Sequence, residues 1–174
     1  MLAALYWGSR KETLEACLAC WRKTLGVMVR AGLHNAMHHD DSYGVDVRQD
    51  SPQTGYRYSW KSSDKPPEQL SLHVLCGAWA SASNAVLLNV PDSGTYSFEK
   101  RAGDYLWAFS ELIEVWDPLE GVVCRHEDIV WQGSRLSATS PCIQRYRRDA
   151  VVNTGVCLDG SMNPAVRDLT PALV

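Results

Sequence analysis

The chain has 174 residues, 45% of them hydrophobic and 21% charged, which suits one domain with a real core and excludes wholesale disorder. Seventeen Lys and Arg against twenty Asp and Glu leave a net charge of −3, which argues against nucleic-acid binding through a basic surface. No apolar run approaches the roughly 20 residues of a membrane span, and the short apolar N-terminus has no basic region before it, unlike a signal peptide.

Leu2 to Tyr6 is a short apolar run bounded by Gly8 and reads as a central strand. Ser9-Arg10-Lys11-Glu12 has the form of a capping box, with Ser9 as the cap and Glu12 reaching back to it. Leu14, Cys17, Leu18, Trp21, Leu25 and Met28 follow at spacings of three and four, one apolar face of a helix that Gly32 ends. Residues 33–53 are polar and read as a loop. Tyr56, Tyr58 and Trp60 alternate with polar residues, the period of a half-buried strand. After a turn at Pro66-Pro67, Leu70, Leu72, Val74 and Cys76 mark a second strand with Gly77 near its end. Ala85 to Val90 is a third, stopped by Pro91. Short connections between these three predict an antiparallel meander.

Asp104 to Trp116 reads as the second helix, with Tyr105, Phe109, Leu112, Ile113 and Trp116 on one face and Pro118 as its stop. Gly121 to Cys124, Ile129 to Trp131 and Ala150 to Leu158 read as strands, and Asn163-Pro164 as the opening of a terminal helix over 165–169. The pattern predicts one α+β domain over residues 1–174, a largely antiparallel sheet packed against two main helices.

Chemistry-bearing residues are sparse. Cys17-x-x-Cys20 has the spacing of a redox or zinc pair, but both lie inside the first helix and no second pair completes a site, so packing is the expected role. The six cysteines are expected as reduced thiols of a cytoplasmic protein. His34, His38, His39, Asp40 and Asp41 form the richest set of potential ligands, and a metal-binding protein or a hydrolase built on His34, His38 and Asp41 is the alternative reading. There is no G-x-S-x-G, H-E-x-x-H, P-loop or G-x-G-x-x-G motif. Glu111 and Glu114 read as a solvated helix flank, and His73 as a packed histidine. No catalytic residue, metal or cofactor is therefore expected.

The acidic residues fall in two groups. Asp40, Asp41, Asp46 and Asp50 share one loop, and Asp117, Glu120, Glu127 and Asp128 follow the second helix. Brought to one end of the fold, they would make a negative surface that steers a basic partner. Trp60, Trp79, Trp107 and Trp131 are candidate aromatic anchors for such a partner.

Three segments, taken in order, carry a resemblance: Tyr6-Trp7-Gly8-Ser9-Arg10 with Glu12 and Cys17; Leu70 to Ala78 running into Asn84 to Pro91; and Glu114-Val115-Trp116-Asp117-Pro118 followed by Gly121-Val122-Val123. Over most of residues 1–125 the chain resembles the immunity protein 52 family of bacterial polymorphic toxin systems. It departs from that family at 33–50, where an aromatic-containing segment is replaced by one rich in His and Asp, and after Trp131. The resemblance implies a small cytoplasmic antidote that binds one cognate toxin. That toxin is typically a nuclease of the restriction-endonuclease fold, delivered by a contact-dependent route such as type VI secretion. The implied action is stoichiometric protein binding, with no direct contact to nucleic acid or membrane.

Overall fold

The computed structural model describes residues 1–33, 55–62, 64–65, 67–78, 84–125, 129–132, 135–138, 143–148 and 167–168. In chain order the elements are β1 (Leu2–Gly8), α1 (Leu14–Arg30), β2 (Tyr56–Lys61), β3 (Ser71–Cys76), β4 (Asn84–Asn89), α2 (Phe98–Trp116), β5 (Glu120–Cys124), β6 (Ile129–Gln132), β7 (Arg135–Ala138), β8 (Gln144–Arg147) and β9 (Arg167–Asp168). The sheet runs β2-β3-β4-β1-β5-β8-β9, and β6 and β7 form a separate hairpin. All pairs from β2 to β8 are antiparallel; β9 joins β8 in parallel. This is the expected α+β domain, an antiparallel sheet with two helices packed on it.

The short apolar run of β1 is central because it is buried on both faces. Ala3, Leu5 and Trp7 point to the helices and join the main core with Tyr58, Leu72, Val74, Leu88 and Val123 from neighbouring strands. Leu2, Ala4 and Tyr6 point the other way and form a second small core with Val122 and Cys124. The hairpin strand β7 touches both β1 and β5 without joining their sheet. Gly121, opposite Leu5, leaves the space that Leu5 and Phe109 fill: a Cβ there would lie 2.6 Å from Leu5 Cδ2 and 2.9 Å from Phe109 Cζ.

Several local expectations are corrected. Ser9 does not cap α1. The helix starts at Leu14, and Thr13, with extended backbone, accepts a hydrogen bond from the Ala16 N–H at 3.2 Å. Before it the chain is held to the sheet by the Arg10 N–H, which donates to the Ala78 carbonyl at 2.8 Å. α2 starts at Phe98 rather than Asp104, after an extended Ser97, and passes through a non-helical Arg101 (φ −127, ψ 24). Residues 167–168 are the strand β9, not part of a terminal helix, and β8 is a strand that periodicity did not suggest. The strand expected over 150–158 lies outside the described residues.

Arg101 leaves helical geometry because its side chain is engaged elsewhere. It donates to the Ala31 carbonyl at 2.9 Å and the Gly32 carbonyl at 3.1 Å, and pairs with Asp104 at 2.6 Å. The carbonyls just past the end of α1 are thereby satisfied, while those of Val27, Met28 and Val29 in its last turn accept from the N–H groups of Ala31, Leu33 and Gly32. The two helices are further joined by a buried polar contact: the Trp116 indole N–H donates to Thr24 Oγ at 2.8 Å, and that hydroxyl donates to the Cys20 carbonyl at 2.9 Å. Among the described residues no helix is long and apolar enough to cross a membrane.

Thr24→Val keeps the shape at this contact but strands the buried indole N–H. It is expected to lower unfolding free energy by about 1–3 kcal/mol, whereas Thr24→Ser keeps most of it. Urea unfolding with an unchanged m-value would check this.

Candidate functional site

The Trp7-Gly8 corner lies where β1 ends, α1 is about to start and α2 stops. Gly8 has φ +67, and β1 takes one extra residue against β4 between Tyr6 and Gly8. That bulge turns the chain out of the sheet, and glycine meets its left-handed backbone without a Cβ penalty. Trp7 is buried and stacks on Trp116, ring centroids 5.2 Å apart at 19°. The Arg10 guanidinium sits 5.0 Å over the outer side of the Trp7 system, a cation–π contact.

Arg10 then closes α2. Its Nη2 donates to the Trp116 carbonyl at 2.9 Å, its Nη1 to the Asp117 carbonyl at 3.3 Å, and its Nε to Glu12 Oε1 at 3.0 Å. Glu12 uses its other oxygen to accept the Gly77 N–H at 3.2 Å. Asn84, fully buried, completes the corner: its amide donates to the carbonyls of Gly8 (2.5 Å) and Ala78 (2.9 Å) and accepts the Ala78 N–H (2.8 Å). Each of these groups satisfies backbone that would otherwise be unpaired.

Asp117 is the left-handed C-cap of α2, φ 45, with its N–H on the Ile113 carbonyl. Its carboxylate is 72% exposed but pairs with Arg148 at 2.5 Å, and Arg148 also donates to the Asp117 carbonyl. Two guanidinium groups thus face the negative end of the α2 dipole. Glu120, the first residue of β5, is half-buried and stands in register with Tyr6 and Arg147. The structure therefore brings Asp117 and Glu120 to the Trp7-Gly8 corner, with Glu114 exposed one turn earlier on α2. The surface there is mixed in sign rather than purely acidic. Asp40, Asp41, Asp46, Asp50, Glu127 and Asp128 lie outside the described residues, as do His34, His38 and His39.

Of the candidate aromatic anchors, Trp60 is buried and Trp107 is exposed on α2. Trp107 lies under the Arg30 guanidinium at 5.8 Å, and Arg30 pairs with Glu111 at 3.4 Å. Glu111 and Glu114 are the solvated flank that their spacing suggested. The side chains of Trp79 and Trp131 are not among those described. Among the described residues no three His, Cys, Asp or Glu side chains converge as a metal site. The Arg10 and Arg148 contacts to α2 are not legible in the sequence, because nothing local marks an arginine as a cap for a helix end 106 residues away, as for Arg10, or 31 residues away, as for Arg148.

No family model matches the chain, and neither does any curated protein or solved structure.

His73 is half-buried on β3, facing away from the helices beside Lys61. Burial, and then the Lys61 charge, hold its pKa below the ordinary 6.5. The neutral form is the one the fold accommodates, so the contribution is present above pH 6.5 and lost as pH falls through the lowered pKa. His73→Gln is expected to flatten the loss of stability below pH 6.5, read from denaturant unfolding at stepped pH.

Proposed function

We propose that this chain is an immunity protein of the immunity protein 52 kind, a stoichiometric inhibitor of one cognate secreted toxin. The observation that carries the reading is the ordered set of three motifs. What supports it is that the three segments pack on one another. Trp7 stacks on Trp116, Gly8 accepts from Asn84, and the Leu119 N–H donates to the Tyr6 carbonyl at 2.8 Å. Residues scattered over β1, β4 and α2–β5 thus behave as a single scaffold, which is what an ordered signature of a fold family should encode.

The toxin the resemblance implies is a nuclease, whose substrate groove is basic. Carboxylates can occupy such a groove where phosphates would. Asp40, Asp41, Asp46 and Asp50, with Asp117, Glu120, Glu127 and Asp128, are the groups assigned to that contact. Exposed tryptophan supplies the apolar anchoring. Inhibition needs no turnover by this chain: covering the groove is enough.

The purified chain is expected to bind the toxin encoded beside its gene with a nanomolar Kd, about −12 kcal/mol, and to protect cells that express that toxin. Absence of both would end the reading. Reversing charge at Asp40 and Asp41 together is expected to slow association about tenfold at low salt, with a smaller effect at high salt. Unchanged association kinetics would remove those two residues from the interface.

A further inference from the structure

The start of α1 faces the end of β3 across a cluster of thiols. Cys17 is buried on α1, and Cys76 is buried as the last residue of β3. Both side chains belong to the same buried core cluster between helix and sheet. Cys17 Sγ is also close to the next residue, since a Cβ on Gly77 would lie 3.4 Å from it. Neither thiol has a strong competing partner: Cys17 reaches Glu12 Oε2 at 3.9 Å and Cys76 the Tyr56 carbonyl at 3.8 Å, both long sulfur contacts. Cys20, one turn further on, turns toward α2 and donates to the Val115 carbonyl at 3.6 Å. All three are free thiols. The spacing of Cys17-x-x-Cys20 thus points to the wrong couple, because the neighbour that Cys17 meets comes from the sheet.

We propose that Cys17 and Cys76 are a latent disulfide, which a small disulfide oxidant closes to staple α1 onto the end of β3. One thiol, as its thiolate, attacks a sulfur of the oxidant and forms a mixed disulfide, releasing one small thiol. The second protein thiol, deprotonated in turn, displaces the other small thiol and forms the Cys17–Cys76 bond. Two protein thiols are oxidised, the oxidant disulfide is reduced to two thiols, and the two protons pass to those leaving groups. The contact with Cys17, and then burial, push the Cys76 thiol up, so closure is slow at neutral pH and faster in alkali. The staple would fix the Gly77 end of the corner, where Glu12 holds the backbone N–H and Arg10 in turn holds α2. It is independent of the toxin-binding reading.

The test uses the full chain, incubated folded with oxidised glutathione, alkylated and mapped by mass spectrometry. A Cys17–Cys76 link is expected in the unmodified chain, in Cys20→Ser and in Cys124→Ser, and is expected to be absent in Cys17→Ser. The linked form should melt several degrees higher, because the closed loop is long, and a reductant should reverse the gain. A Cys17–Cys20 link would overturn the proposal, as would thiols that stay free or stop at the glutathione adduct. A link seen only after denaturation, or one that leaves the melting temperature unchanged, would overturn it equally. Cys20→Ser and the unmodified chain carry the test if Cys17→Ser does not fold.

Discussion

Each of the two described helices ends on an arginine that belongs to another part of the chain. Arg10 closes α2 through the carbonyls of Trp116 and Asp117, and Arg101 closes α1 through those of Ala31 and Gly32. The last carbonyls of a helix have no partner within it and carry the negative end of its dipole. A guanidinium answers both needs, because its planar fork reaches two oxygens and its charge is permanent. The helices are tied to each other and to the first strand by these forks as much as by apolar packing. Arg101 shows the cost of the arrangement, since it leaves helical backbone to make its contacts.

The corner at Trp7 and Gly8 extends the same logic to the sheet. Gly8 lets the chain turn, Trp7 fills the space against Trp116, and Asn84 pairs the backbone exposed by the bulge. The Trp7 indole N–H is buried without a hydrogen-bond partner among the described residues, but Arg10, Glu12 and Asn84 are all engaged by neighbouring backbone, so the corner is a scaffold. In the proposed reading, specificity belongs to what the scaffold displays around it. Asp117 illustrates the division of labour: its backbone ends α2, while most of its carboxylate faces solvent beside Arg148.

Much of the fold was legible in residue periodicity. Leu70, Leu72, Val74 and Cys76 fall on one buried face, and the first helix and the central strand stand where alternation and three-four spacing put them. What escaped was set by contacts distant in sequence. Ser9 looks like a cap, but the Arg10 N–H is drawn to Ala78 and the helix waits for Thr13. Residues 98–103 lack a clear apolar stripe, so the beginning of α2 was invisible. β8 and β9 are too short for alternation to speak. For the site, charge was readable and pairing was not: Asp117 was legible as acidic, but not the arginine that meets it.

The strand order also bears on how the chain reaches its native state. β1 is flanked by β4, which starts at Asn84, and by β5, which starts at Glu120. Neither of its edges therefore has a strand to pair with until β4, which ends at Asn89 of 174 residues, has been made. Pairings so remote in sequence must meet a large loop-closure entropy before any of their enthalpy is gained, which slows collapse to the native sheet. During synthesis Leu2 to Trp7 is an apolar, β-prone segment awaiting distant partners, the kind of exposure on which chaperones act.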